Sequence, residues 1–320
     1  MTTASRREFL AGGVALASLA AVAARRAMAA ASADMQFGQQ LFSVDAQMST
    51  DLPGTLRSVR QIGYRVVEPV GFYGRSGTAL RQALQRAQLR CVSIHVRPQA
   101  PTPGAPNLET GSEEVLQRCQ QLGVRYLVCP GVHWPKRMSA AANQPTTLSG
   151  MVAAVALFTA DDWMECADWL NDLGARARSR GIQLLYHNSN VEFVKLKDTT
   201  GYEILLQQTD PRLVQLELDC GWVSSAGLDP MALLRSQSGR VPLIHIKDMA
   251  STPANNAMQL NPALLGAGIV DWNALLGAAR AAGVRYAFVE QEAPYSKPPL
   301  ESARLNLDFL RRRGWISTAD

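Results

Sequence analysis

The chain has 320 residues, of which 47% are hydrophobic and 18% charged, and its formal net charge is +5 at pH 7. This composition is typical of a folded globular protein and excludes a disordered or low-complexity chain. Four arginines and one glutamate lie within residues 1–29, so the remainder carries a charge of +2, and no nucleic-acid partner is indicated.

The first thirty residues have the pattern of an export signal. Arg6 and Arg7 form a twin-arginine pair, a weakly apolar stretch rich in alanine follows, and Ala27 and Ala29 flank an A-x-A-like cleavage site. The alternative is a transmembrane anchor, but an anchor needs about 20 strongly apolar residues and this stretch is shorter. We therefore predict residues 1–30 as a signal for the twin-arginine export machinery, with no stable membrane span. The mature protein is then periplasmic or secreted from a bacterium.

In residues 34–318, short apolar runs alternate with longer segments of helical period, which is the pattern of repeated βα units. The predicted strands are 36–44, 65–70, 91–97, 126–130, 182–188, 214–220, 241–248 and 286–292. The predicted helices are 52–62, 78–87, 113–122, 160–180, 201–208, 230–236, 272–282 and 300–313. Eight such units in about 290 residues fit one domain of the α/β barrel type.

Several of the predicted helices end in the same way, with a glycine followed by an apolar residue that enters a strand. Gly63, Gly123, Gly181 and Gly283 occupy this position, where a helix end often requires positive φ. The repetition favours a single (β/α)₈ TIM barrel. The alternative, an open doubly wound sheet that binds a dinucleotide, would carry a G-x-G-x-x-G turn after the first strand, and the sequence lacks one.

Polar side chains occupy the predicted carboxyl ends of the strands, where the βα loops of a TIM barrel form the active site. They are Glu68, His95, Arg97, His187, Asn188, Asp219, His245, Lys247, Asp248, Glu290, Gln291 and Glu292. Three of the four histidines of the chain belong to this set, and the fourth, His133, comes just after the fourth strand. This distribution predicts one shared site at the mouth of the barrel.

Residues two apart on a strand share a face, which sorts these side chains by direction. His245 and Lys247 share a face opposite to Asp248, so His245 can converge with Asp219 and Glu290 above the barrel axis. One imidazole with two or three carboxylates suits Mn²⁺, Mg²⁺, Co²⁺ or Zn²⁺. Buried ion pairs between strands are the alternative, but several charged groups at successive rim positions are costly to desolvate without a cation. We therefore predict one divalent metal ion.

The chain resembles the sugar phosphate isomerase/epimerases of the xylose isomerase-like barrel superfamily from about residue 36 to residue 315. The segments that carry the resemblance are YHNSNVEF, ELDCGWVSSAGLDP, PLIHIKDM, GAGIVDW and FVEQE. The resemblance implies metal ligands at Asp219, His245 and Glu290, with either Glu192 or His187 as the ligand after strand five. Such relatives often read Y-H-N-H where this chain has Ser189 in the last place, and ketose epimerases have a glutamate where His187 stands.

The resemblance further implies a small-molecule carbohydrate substrate and an enediolate formed when a base removes the proton next to a carbonyl. Glu290 or Glu192 is the candidate base, and Lys247 or His95 the candidate proton donor. The remaining candidates for the substrate pocket are Glu68, Arg97, Asn188, Trp222 and Glu292. Epimerisation, isomerisation and elimination all follow from this chemistry, and a non-catalytic sugar-binding barrel and a homo-oligomer stay open.

Two expectations follow from the compartment. An unphosphorylated sugar or keto-sugar suits the periplasm better than a sugar phosphate, and elimination from an inosose or a 3-keto-glycoside is the alternative reaction. The five cysteines are odd in number and show no framework spacing, so we expect buried thiols.

Overall fold

The computed structural model describes residues 35–99, 104–138, 148–251 and 261–317, and the predicted export signal lies outside them. A ring of parallel strands occupies the centre, and helices follow the strands along the chain. The barrel strands are β1 (Gln36–Gln40), β2 (Val66–Glu68), β3 (Ser93–His95), β4 (Tyr126–Pro130), β5 (Gln183–His187), β6 (Val214–Asp219), β7 (Leu243–Ile246) and β8 (Tyr286–Val289).

The barrel closes through a strand that is broken in two. The parallel sheet begins with the short piece Arg90–Cys91, which pairs with β2, and ends with β3, which pairs with β4. Val92 alone separates the two pieces in the chain. A bridge between Val70 and His95 then links the segment after β2 to β3. The sheet is therefore a nearly closed α/β barrel of the TIM type, as predicted.

Helices connect the strands and cover the outside of the barrel. They are α1 (Asp45–Thr50), α2 (Leu52–Ile62), α3 (Gly77–Arg86), α4 (Ser112–Leu122), α5 (Leu148–Val155), α6 (Ala160–Ser179), α7 (Gly201–Gln208), α8 (Cys220–Ser225), α9 (Pro230–Ser236), α10 (Trp272–Ala281) and α11 (Pro299–Arg312). Among the described residues, none of these helices has the length and apolarity required to cross a membrane.

Local chemistry sets the helix ends. Gly63 after α2 has a φ of 124° and Gly283 after α10 a φ of 89°, which confirms the turn predicted from the repeated glycines. At the start of α6, Thr159 and Asp162 form a reciprocal capping box. Asp162 also accepts a hydrogen bond of 2.8 Å from Nε of Arg137, which ties this helix to the loop after β4.

Apolar side chains pack on both faces of the barrel wall. A large outer cluster fills the space between the wall and the helices and includes Trp163 of α6. A small inner cluster fills the interior and consists of Val66, Val92, Tyr126, Val128, Leu185, Leu243 and Phe288, with Tyr286 packed against it. Gly38 leaves room for this cluster, because a Cβ there would lie 2.6 Å from Cε1 of Phe288. The inner cluster is an apolar floor beneath the mouth.

Most barrel strands are shorter than predicted, and β1 and β7 show why. The apolar run 36–44 was expected to be one strand, but after β1 residues Leu41–Val44 form a 3₁₀ turn. The side chain of Gln40 accepts a hydrogen bond of 3.1 Å from the amide of Phe42 and turns the chain, while Leu41 and Val44 stay buried in the outer cluster. After β7, Asp248–Met249 leaves the barrel to pair with Pro262–Ala263. A buried apolar run therefore does not mark where pairing ends.

The cysteines agree with the expectation of unpaired thiols. All five lie within the described residues and are free, and four of them are buried. Burial raises the pKa of the Cys119 thiol to about 12, so it is protonated at neutral pH.

Candidate metal centre

The interior of the barrel changes from apolar to polar at its carboxyl end. Leu243 of β7 belongs to the apolar floor, and His245 lies two residues further along the same face. Phe288 of β8 and Glu290 have the same relation. Because alternate residues of a strand share a face, each polar side chain lies one layer above the floor, towards the mouth.

Four of these side chains form a buried cage: His187, Asp219, His245 and Glu290. The Nδ1 atom of His245 lies 3.1 Å from Nε2 of His187, 3.0 Å from Oε2 of Glu290 and 3.8 Å from Oδ2 of Asp219. Nε2 of His187 lies 3.5 Å from the same Asp219 oxygen. The other oxygen of Asp219 caps α8 by accepting a hydrogen bond of 2.9 Å from the amide of Trp222, which orients the carboxylate.

The donor set of the cage fits a divalent cation. A cation about 2.0–2.2 Å from each ligand requires ligand atoms about 3.0–3.5 Å apart, near the separations found here. The ligand atoms of the four residues all lie within 4.8 Å of one another. Carboxylate oxygens have no proton to donate when ionised, and a neutral imidazole presents one lone pair, so these atoms repel unless a proton or a cation lies between them. Two imidazoles and two carboxylates suit Zn²⁺, Mn²⁺ or Co²⁺.

Lys247 lies against the cage, two residues beyond His245 on the same face. Its Nζ is 2.9 Å from Oδ2 of Asp219 and 2.8 Å from Oε2 of Glu290, and it also contacts Glu292. The indole ring of Trp222 lies under the ammonium, with 4.9 Å between Nζ and the ring centroid. Lys247 and Glu292 therefore form the layer above the cage, nearest to the mouth.

A second group of polar side chains, Glu68, Glu217 and His95, lies on the opposite side of His245. Glu217 was not among the predicted site residues. Nε2 of His245 is 2.8 Å from Oε1 of Glu68 and 3.3 Å from Oε2 of Glu217. Nε2 of His95 is 3.1 Å and 2.6 Å from the same two oxygens. Gln40 donates a hydrogen bond of 2.8 Å to Glu68. The alternation along β6, which puts Glu217 on the face of Asp219, was the signal that could have identified it.

The segment after β5 separates two residues that the sequence left as alternatives. Glu192 accepts hydrogen bonds of 2.7 Å from the hydroxyl of Tyr186 and of 3.0 Å from the amide of Ser189. Tyr186 packs in the outer cluster, on the face opposite to His187. Glu192 therefore supports the loop from behind the barrel wall. His187 is the residue that the structure brings into the cage.

The remaining predicted site residues lie either beside the cage or away from it. Asn188 is buried and brackets the backbone of Asp219, accepting a hydrogen bond of 3.0 Å from its amide. Arg97 is exposed. Glu68, His95, Trp222 and Glu292 lie within the contact network of the cage or beside it, as described above. The structure thus brings together the predicted site residues except Arg97, Glu192, Asp248 and Gln291. Asp248 instead accepts hydrogen bonds from the amides of Gly266 and Gly268, and Gln291 contacts Asn306.

The electrostatics of the cage set the protonation states of the side chains that could bind a cation. Burial would raise the pKa of Glu290, but the charges of Lys247 and His245 lower it well below its usual range. Burial would likewise raise the pKa of Asp219, and Lys247 and His187 lower it. Burial lowers the pKa of His187, and the charge of His245 lowers it further. Both carboxylates are therefore ionised and His187 is neutral at neutral pH, as metal ligands must be. Burial would lower the pKa of His245, but the carboxylates around it raise that pKa well above its usual range, so His245 must give up a proton to bind a cation.

Comparison with known sequences agrees with this architecture. The family profile described as xylose isomerase-like TIM barrel matches residues 56–313. An inosose dehydratase from Bacillus anthracis is 34% identical over 93 residues, which are 29% of this chain and 30% of that protein. The chain thus matches less than a third of the length of this relative. The family match confirms the resemblance drawn from the sequence motifs.

Solved structures share the fold. A sugar phosphate isomerase/epimerase from Parabacteroides distasonis superposes with a TM-score of 0.67 at 20% identity, over 88% of this chain and 100% of that one. The IolI protein with a bound zinc atom superposes with a TM-score of 0.61 at 16% identity, over 89% of this chain and 100% of that one. At these identities the likeness concerns the fold alone.

Proposed function

The chain belongs to the xylose isomerase-like TIM barrel family, and from this premise we propose that it is a divalent-metal-dependent sugar isomerase or epimerase. Its substrate is an unphosphorylated sugar or keto-sugar, from which it removes the proton next to a carbonyl group. The observation that carries the proposal is the cage itself, in which two imidazoles and two carboxylates face one another at the mouth of the barrel. Buried donor atoms that all need a cation are costly to keep for packing alone.

The ligands in this proposal are His187, Asp219, His245 and Glu290. A divalent cation held by them would stabilise the negative charge that develops on a carbonyl oxygen when the neighbouring proton leaves. Elemental analysis of the purified protein identifies the ion among Zn²⁺, Mn²⁺, Co²⁺ and Mg²⁺. His187 replaces the Glu192 alternative because the oxygens of Glu192 are engaged by Tyr186 and Ser189.

The exposure of the cage decides which residues can meet the substrate. The side chains of Asp219 and His245 are 0% exposed, whereas those of His187 and Glu290 retain 9% and 6%. The substrate therefore approaches over His187 and Glu290. Glu290 is the carboxylate placed to take the proton, and Lys247, which contacts Glu290 from the mouth side, is placed to return a proton or to hold an oxyanion.

Elimination is the second candidate reaction, and the relationship to inosose dehydratases favours it. It begins with the same proton abstraction by Glu290. The bond between the next carbon and its oxygen substituent then breaks, and the departing oxygen takes a proton from Lys247, which releases water or an alcohol and leaves an unsaturated ketone. Product analysis separates the two reactions, because epimerisation and isomerisation conserve the mass of the substrate.

Metal content tests the proposal first. The mature protein is expected to carry about one divalent ion per chain by elemental analysis after mild purification. His245→Ala should lose that ion, whereas His133→Ala should keep it, because His133 pairs with Glu109 and is not one of the four residues of the cage. Equal metal content in wild type and His245→Ala would refute the assignment.

Turnover tests it second. Free sugars, inososes and 3-keto-glycosides are supplied with and without Mn²⁺ in D₂O, and deuterium is expected on the carbon next to the carbonyl in product or recovered substrate. If the protein binds a sugar but turns over none of these compounds, the proposed enzyme activity is refuted and a sugar-binding role is supported.

A further inference from the structure

His245 is in contact with acidic groups through both of its ring nitrogens. Nδ1 faces the cage, while Nε2 lies 2.8 Å from Glu68 and 3.3 Å from Glu217 on the opposite side of the ring. The side chains of His245, Glu68 and Glu217 are all fully buried. Water therefore cannot substitute for these contacts, and the two carboxylates decide what the Nε2 atom does.

We propose that Glu68 and Glu217 are positioning residues, which hold His245 with its proton on Nε2 and the Nδ1 lone pair directed into the cage. The proposal rests on the proposed function, because it concerns how the chain presents a ligand to the cation. It adds two residues outside the cage, and one of them, Glu217, lies within the segment ELDCGWVSSAGLDP but was not among the predicted site residues.

The assignment of the proton follows from the partners of Nε2. An ionised carboxylate can accept a hydrogen bond but cannot donate one, so the nitrogen that faces it must carry the proton. With the proton on Nδ1 instead, the Nε2 lone pair would face Oε1 of Glu68 at 2.8 Å without a hydrogen bond between them. In a fully buried site the cost of that repulsion is not reduced by solvent.

The surroundings of the two carboxylates fix them in turn. Gln40 donates to Oε1 of Glu68, and His95 reaches both carboxylates through its Nε2. The rings of His95 and His245 are stacked, with 5.1 Å between centroids and 6° between planes. His95 and His245 therefore share the same two acceptor oxygens from parallel positions. This arrangement restricts rotation of the His245 ring as well as its tautomer.

The second oxygens of these residues indicate that the carboxylates are kept for a reason other than stability. Oε2 of Glu68 and Oε1 of Glu217 are buried and have no hydrogen-bond partner among the described residues. Unsatisfied buried carboxylate oxygens are costly, and a protein that needed only packing would place apolar side chains there. A carboxylate that accepts a hydrogen bond from a metal-ligating histidine raises the basicity of that ligand, and removing such a partner typically weakens metal binding about 10- to 100-fold.

Metal affinity is the first measurement. Glu217→Gln and Glu68→Gln keep the size of the side chain but lose its charge, and the amide group can present a donor to Nε2. Each variant is expected to bind Zn²⁺ or Mn²⁺ about 10- to 100-fold more weakly than wild type in a competition titration with a chelator. Glu109→Gln is the matched control, because it removes the carboxylate from another histidine, His133, away from the cage. It should bind the ion as wild type does.

The tautomer is the second measurement, and it uses the wild-type protein. The chain has four histidines, so the side-chain ¹⁵N signals of histidine-labelled, zinc-loaded protein can be assigned with single variants. His245 is expected to bind zinc through Nδ1 and to keep a slowly exchanging proton on Nε2. Zinc on Nε2 would overturn the proposal even if neither glutamine variant folded.

The outcomes separate the two proposals. A wild-type protein that binds neither ion would overturn the proposed function and this inference together. Metal binding by wild type, with the same affinity in folded Glu217→Gln and Glu68→Gln, would overturn this inference and leave the proposed function standing. Weaker binding in these two variants, with wild-type affinity in Glu109→Gln, supports it.

Discussion

Replacing Lys247 with methionine removes the ammonium that lies among the carboxylates of the site. The side chain is 1% exposed, and its Nζ lies 2.9 Å from Asp219 and 2.8 Å from Glu290. Methionine keeps an apolar chain of similar length on the ring of Trp222, so the change concerns charge more than packing. Removing one partner of a buried ion pair typically costs about 3–5 kcal/mol, because the other charge is left buried without compensation.

We therefore expect Lys247→Met to lower the free energy of unfolding of the metal-free protein by about 3–5 kcal/mol, a large part of the 5–15 kcal/mol typical of a domain. The measurement is urea unfolding followed by circular dichroism, with a chelator present. Lys195→Met is the control, because Lys195 is exposed and its loss should change the stability by less than about 0.5 kcal/mol.

Addition of the cation provides the second half of this test. A divalent ion in the cage supplies positive charge to Asp219 and Glu290, the same carboxylates that lost their ammonium. The ion should therefore stabilise Lys247→Met more than it stabilises wild type, and the difference between the two proteins should shrink as its concentration rises. A metal-free Lys247→Met protein within about 0.5 kcal/mol of wild type would refute the reasoning.

Three further predictions concern other parts of the chain. Glu290→Gln should fold and bind substrate but lose about two to four orders of magnitude in kcat, and full turnover by this variant would remove Glu290 from the chemistry. Asp162→Asn should lower the stability by about 1 kcal/mol at pH 7. Hydrogen bonding from Arg137 lowers the pKa of Asp162 from 3.8 to about 2, so this difference should vanish in unfolding curves as the pH falls from 3.8 towards 2. Changing Arg6 and Arg7 together to lysine should keep the precursor in the cytoplasm, and its appearance in the periplasmic fraction in normal amount would contradict the twin-arginine prediction.

The elements that could be predicted from the sequence are those that local chemistry determines. β4 and α2 have the predicted bounds, Tyr126–Pro130 and Leu52–Ile62. A capping Asp51 begins α2 and the positive φ of Gly63 ends it. The predicted carboxyl ends of β1 and β7 were wrong, because three-dimensional packing decides where the strands stop pairing. A residue such as Leu41 stays buried after the strand has ended, so its apolar character carries no information about the end.

The candidate site could be predicted in part for a related reason. Strand ends and alternation were enough to select Asp219, His245 and Glu290, because a TIM barrel directs all such residues to one mouth. Glu217 was missed because the interior layers of a barrel below the strand ends are usually apolar. Glu192 was predicted as an alternative to His187 because it follows His187 closely in sequence, whereas the loop between them turns its side chain to the other face of β5.

The excess of acid in the barrel favours the proposed cation site over a set of structural ion pairs. The contact network in the described part of the chain includes five carboxylates, those of Glu68, Glu217, Asp219, Glu290 and Glu292. It contains one ammonium, that of Lys247, and imidazoles that become positive only when they bind a second proton. Structural ion pairs would match acids with lysine or arginine one to one, because an uncompensated buried charge is costly. Here the remaining charge can be balanced by protons on the imidazoles or carboxylates, or by a cation, and protons and the cation compete for the same lone pairs. Metal binding should therefore release protons, and a titration that found no proton release on binding would contradict the ligand assignment.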